Sequence, residues 1–239
     1  MIALAAVAAF AGAAVQSATG FGFALVLSPA LFAVMDPVEA VTALLVLGLA
    51  LNLLVLFEGG RPEHVDWRAL APMLVAAVPG LAIGAVALTE LSKEVLQVAV
   101  GVAVIAAAGW QLRARTVRLS PAAAWIAGFA SGALTTSISV SGPPLVLWLT
   151  ARGVRPEEFR ASLAPSFLAL NLAGGAILLA AEGSSAFDAG AVALLLALVV
   201  AGYVVGAVAF RRLDHDRFFK LVLILVALTG TASVVAGLA

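Results

Sequence analysis

The chain has no cysteine, which removes disulfides, thiolate metal sites and cysteine nucleophiles together. Histidine is almost as scarce: His64 and His215 both sit in polar stretches, so a buried metal site lacks ligands and no metal or cofactor is expected. Charge is thin as well, at 11% of residues, against roughly 25% in soluble domains. The 13 basic residues are matched by 13 acidic ones and gather in short clusters rather than on one face, which argues against a nucleic-acid partner. What fills the chain is hydrocarbon. The apolar fraction is 64% and the mean hydropathy is +1.16, the composition of an all-α polytopic membrane protein with lipid as its solvent. The opening residues MIALAAVAAFAGAAVQSA resemble a signal peptide in being apolar and ending in small residues. They lack a basic start, and a later copy of their pattern assigns them to the fold.

Apolar blocks cover residues 2–35, 38–57, 69–89 and 95–112, and then 121–151, 159–181, 189–210 and 218–238. A span needs about 20 residues, so the last three blocks of each set are ordinary spans and the first of each set is too long for one. Those two long blocks are also broken, by Gln16–Gly22 (QSATGFG) and by Thr135–Pro144 (TTSISVSGPP). Glycine and proline explain the breaks. Non-helical backbone at membrane depth survives only where protein or a wet cavity satisfies it.

The two sets are copies. Pro37 precedes Asn52 by fifteen residues, and Pro156 precedes Asn171 by the same fifteen; Gly80 and Gly84-Ala85-Val86-Ala87 match Gly202 and Gly206-Ala207-Val208-Ala209. Charge decides how the copies sit. Arg113, Arg115 and Arg118 place the 113–120 linker in the cytoplasm, and Arg152, Arg155 and Arg160 place the next loop there too. Residues 121–151 therefore start and end on one side. Extending the alternation puts the loops at Arg61 and Arg211 inside, those at Asp36, Glu90 and Glu182 outside, and both termini outside. Each loop then has the opposite sidedness to its copy. The expected architecture is two inverted-topology repeats, residues 1–112 and 121–239, each a broken or re-entrant helical hairpin followed by three transmembrane helices. A hairpin is favoured over two tilted crossings, because Pro143 to Thr150 makes only about 12 Å of helix.

Two tips entering from opposite faces meet near the bilayer centre. Hydroxyls, close-packed glycine backbone and the positive ends of half-helices attract an anion without a buried Lys or Arg. The candidate binding residues are Gln16, Ser17, Thr19, Gly20 and Gly22 at the first tip, and Thr135, Thr136, Ser137, Ser139, Ser141 and Gly142 at the second. Asn52 and Asn171, at matching positions in matching spans, join them either as direct contacts or as braces. The Gly80/Gly84 and Gly202/Gly206 pairs read as helix packing, Phe21 and Phe23 as residues flanking the first break, and Trp67, Trp110, Trp125 and Trp148 as interface anchors.

The Gly20-Phe21-Gly22-Phe23 to Ser28-Pro29 stretch, Gly128 to Gly132, and Ser141-Gly142-Pro143-Pro144, set in a duplicated chain of this length, resemble the TauE/SafE sulfite exporter family, also called TSUP. Ser139-Val140-Ser141 stands where that family often carries three glycines. The resemblance implies movement of sulfite, sulfonates or related small inorganic or organosulfur anions across the bacterial inner membrane. The residues alone argue for a small polar or anionic solute. A channel with the same lining is the rival reading, since no convincing buried carboxylate is present for coupling. Ser139-Val140-Ser141-Gly142 also looks superficially like a hydrolase motif, but no base is at hand for a serine nucleophile, so the expectation is not an enzyme. A homodimer through lipid-facing helices stays open.

Overall fold

The computed structural model describes residues 2–59, 65–111, 122–182 and 189–210, with 230, 231, 233–235, 237 and 238. Every regular element among them is helical: α1 (Ile2–Thr19), α2 (Phe23–Val34), α3 (Pro37–Gly59), α4 (Trp67–Glu90), α5 (Lys93–Gln111), α6 (Ala122–Ile138), α7 (Gly142–Ala151), α8 (Pro156–Glu182) and α9 (Ala189–Phe210). Helices alone satisfy their backbone within one segment, as an apolar solvent demands. Four are long and apolar enough to cross a membrane: Pro37–Phe57, Trp67–Glu90, Glu158–Ala181 and Gly190–Val208. These coincide with the spans expected at 38–57, 69–89, 159–181 and 189–210. Most of the 218–238 block, and the loops carrying Arg61, Arg113 and Arg211, lie outside the described residues.

Both long blocks are broken where the sequence places the breaks. The α1 helix stops at Thr19 and α2 starts at Phe23; α6 stops at Ile138 and α7 starts at Gly142. The ten residues of α7 make about 15 Å of helix, half a bilayer core. Each first arm closes on a left-handed residue. Gly20 (φ 88°) and Ser139 (φ 58°) hold that conformation, and each donates its N–H to the carbonyl four residues back, on Gln16 and Thr135. This is the left-handed ending common to helices.

Small residues set how the helices meet. A Cβ on Gly128 or Gly132 of α6 would overlap the backbone of Met73 or Ala77 of α4, and one on Gly80 or Gly84 would overlap that of Phe129 or Ala133. The α1–α9 pair is built alike, with Gly202 and Gly206 set against the backbone at Phe10 and Ala14. These glycines are the packing residues that their spacing suggested. The third long contact joins α3 to α8, where Gly48 leaves room for Asn171.

The outer ends of the short arms are tied down. Lys93 Nζ donates to the Met35 carbonyl at the end of α2 (2.8 Å) and Gln97 Nε2 to that of Phe32 (2.9 Å). At the end of α7, Arg152 pairs with Asp66 (3.1 Å) and lies 5.0 Å over the Trp148 ring. That corrects the expectation for Trp148: it is only 4% exposed, in a cluster with Leu145 and Leu149, whereas Trp67 and Trp125 are half exposed as interface anchors would be. The Trp110 side chain falls outside the described residues.

Candidate functional site

A cavity of about 30 Å³ lies between the two hairpin breaks, α3 and α8. One water needs on the order of 10–15 Å³ on this measure, so the space suits a few waters or one small ion. From the first break it is lined by Gln16, Gly22 and the opening residues of α2, Phe23 to Leu25. The second break contributes Ser139, Val140, Ser141 and Gly142. The spans add Leu44, Gly48 and Asn52 from α3, and Phe167 and Asn171 from α8.

Seven of the residues singled out in the sequence thus meet here: Gln16, Gly22, Asn52, Ser139, Ser141, Gly142 and Asn171. Gln16 Nε2 donates to Asn52 Oδ1 at 2.8 Å, and Asn52 Nδ2 donates to the Gly48 carbonyl at 2.7 Å. The side chains of Gln16 and Asn52 are buried, and this chain of bonds fixes which way each amide faces.

The other six are placed elsewhere. Thr135 and Ser137 hydroxyls donate back to the Ser131 and Ala133 carbonyls of their own helix, at 2.6 and 2.7 Å. Thr136 donates across to Leu81 of α4 at 2.7 Å. Thr19 donates to the Val15 and Phe21 carbonyls and so braces the first break. The Ser17 carbonyl receives Arg160 Nη2 at 3.1 Å, and the Gly20 backbone lies beside Leu163 and the Arg160 stem. Arg160 is therefore the cation at the first tip, a role its place near the start of α8 did not advertise. Phe21 meets the Phe159 ring edge-on, with centroids 6.5 Å apart.

Ser139 and Ser141 differ from all of these. Both are more than nine-tenths buried, both line the cavity, and neither hydroxyl has a hydrogen-bond partner among the described residues. The reason for Ser141 is written in Gly142-Pro143-Pro144. Ser141 occupies the N-cap of α7, where a serine ordinarily accepts from the N–H two or three residues on. Those positions are Pro143 and Pro144, which have no N–H. The two prolines start the helix and at the same time leave its capping hydroxyl free.

The N-terminus of α2 is uncapped too. Its N-cap is Gly22, left-handed at φ 107°, with no side-chain hydrogen bond. A Cβ there would approach Val15 Cγ1 to 2.8 Å. The first residues of α2, Phe23, Ala24 and Leu25, line the cavity, and so does Gly142, the first residue of α7. Two positive helix ends thus face one space. Among the described residues, no ionisable side chain lines it.

Sequence reasoning missed Gly48 and Phe167, which stand four residues before Asn52 and Asn171 respectively. A glycine one turn before a buried asparagine was the available signal, because a second helix's amide has to fit over it.

The family model described as "Sulfite exporter TauE/SafE" matches residues 4–233. The curated protein "Probable sulfite/organosulfonate exporter TauE" of Cupriavidus necator is 29% identical over 161 residues, covering 64% of this chain and 62% of that relative's length. No solved structure matches the chain.

Proposed function

From the chain's membership of the sulfite exporter TauE/SafE family, which its match over residues 4–233 establishes, we propose that it moves a small sulfur-containing anion, sulfite or a sulfonate, across the bacterial inner membrane. The observation that carries this reading is the cavity itself. Free, buried hydroxyls of Ser139 and Ser141 sit between two uncapped helix N-termini, and the Gln16–Asn52 pair and Asn171 complete a wall rich in donors. Such a wall binds an anion by replacing its hydration shell with fixed N–H and O–H groups. A donor set without Lys or Arg holds the ion without trapping it, as a carrier requires.

The transport mechanism is alternating access around this site. The two halves are inverted repeats, with each hairpin returning to its own face. Support comes from the pairing of helices: α4 of the first half lies on α6 of the second, and α9 of the second on α1 of the first, each through paired glycines. A two-fold relation exchanges those two contacts and maps the α3–α8 contact onto itself. Gly20 and Ser139, Gly22 and Ser141, and Asn52 and Asn171 correspond at one constant spacing. The charge pattern puts the Arg152–Arg160 loop in the cytoplasm and both termini outside. Rocking of the pairs about the tips then exposes the cavity to each side in turn.

The test is flux of radiolabelled sulfite in proteoliposomes. Wild type shows saturable flux, and Ser139→Ala with Ser141→Ala loses it while remaining folded. Flux that never saturates points to a channel, and no sulfite flux from folded protein removes the substrate.

A further inference from the structure

The cavity's charge is what it lacks. Among the described residues its walls carry hydroxyls, amides and apolar groups and no ionisable side chain. The positive potential comes from two helix ends, each equivalent to about half an elementary charge, so the pair balances about one negative charge. The cost of stripping water from an ion grows with the square of its charge. A dianion in this space would pay about four times the desolvation of a monoanion and leave one of its charges uncompensated.

From this we infer that the site selects by charge state: it takes monoanions, hydrogensulfite and sulfonates with a single charge, and rejects dianions, sulfite in its fully deprotonated form and sulfate. The inference rests on the transport reading and adds to it which protonation state is carried. The proton of hydrogensulfite has acceptors there, since the Ser139 and Ser141 hydroxyls are free to accept as well as donate. A guanidinium or ammonium in the wall would supply the second positive charge that balances a dianion, and none of the described lining residues carries one. Here the described charged groups on packed elements stay off the wall. Arg160 and Glu158 are near the start of α8, with Arg160 on the Ser17 carbonyl, Glu39 opens α3, and Lys93 and Arg152 hold the far ends of α2 and α7.

Two probes of nearly one shape decide the matter. Methanesulfonate and sulfate are both tetrahedral oxyanions of sulfur and differ by one charge. In phosphatidylethanolamine–phosphatidylglycerol proteoliposomes, excess methanesulfonate should compete with sulfite flux and equal sulfate should not. At fixed, sub-saturating total sulfite, flux should fall about tenfold from one pH unit below the anion's second dissociation to one above, as the monoanion fraction does. The His64→Gln, His215→Gln double variant should show the same fall, which separates substrate titration from histidine titration. Thermal unfolding in detergent gives an independent binding readout: hydrogensulfite and methanesulfonate should raise the midpoint and sulfate leave it unchanged.

Equal competition by sulfate, or flux that holds or rises with pH, overturns charge selection while leaving transport intact. A fall with pH that vanishes in the histidine variant overturns it too. Stabilisation by the monoanions alone without sulfite flux removes the transport reading and keeps the selective site. Neither flux nor stabilisation removes both.

Discussion

The two hairpin breaks solve one geometric problem with different chemistry. Both end a helix on a left-handed residue and restart it three residues later, but the first uses Gly20 and Gly22 and the second Ser139 and Ser141. At the first break glycine takes the positive φ without strain, and the opening residues of α2, Ala24 among them, line the cavity. At the second, Ser139 accepts a conformation that costs a side-chain-bearing residue roughly 1–2 kcal/mol, and Pro143 with Pro144 withholds the N–H groups that would have capped Ser141. The first break brings Gln16 and the uncapped start of α2 to the cavity, and the second brings hydroxyls. Strain kept where glycine was available suggests a use for the hydroxyl, and that is where the comparison can be broken.

Removing both hydroxyls should have the largest effect on transport. A hydrogen bond to a charged group is worth about 1.5–3 kcal/mol, so Ser139→Ala with Ser141→Ala should weaken sulfite by roughly a hundredfold or more, read as the half-saturating concentration. Gln16→Leu comes next, since it leaves Asn52 Oδ1 buried without its donor at a cost of about 1–3 kcal/mol; both the unfolding midpoint and affinity should fall. The left-handed pair then separates conformation from chemistry. Gly20→Ala should lower stability by about 1–2 kcal/mol, whereas Ser139→Gly should leave stability equal or higher and still reduce flux. If Ser139→Gly transports like wild type, the hydroxyl is irrelevant and the second break is only a turn. Smallest on transport is Thr136→Val. It loses the bond to the Leu81 carbonyl and about 1 kcal/mol of stability, with flux unchanged in the protein that folds.

Four spans and both helix breaks were legible in the residues, for physical reasons. Apolar run length gave the four long spans, and Gly20, Gly22, Gly142 and the two prolines gave both breaks, because little else interrupts a helix in hydrocarbon. Asn52 with Gln16, and Asn171, were legible as polar groups that need partners there. What did not show was which hydroxyls were spoken for. Thr135, Thr136, Ser137, Ser139 and Ser141 look alike in a row, and only the three-dimensional arrangement assigns the first three to helix carbonyls. Arg160 escaped notice because its contact with Ser17 joins residues far apart in the chain. Trp148 looked like an interface residue by position, yet it is buried in a cluster with Leu145, Leu149 and Phe167.

The proposed site between the two breaks can be tested directly because the chain has no cysteine of its own. Ala24 lines the cavity on the first turn of α2 and is partly exposed, so Ala24→Cys reports occupancy without deleting a polar group. The rate at which this thiol reacts with a small alkylating reagent should fall as hydrogensulfite is added, and should become insensitive to it when Ser139 and Ser141 are both alanine. A rate that hydrogensulfite leaves unchanged, in protein that still transports it, would contradict an anion site between the two breaks.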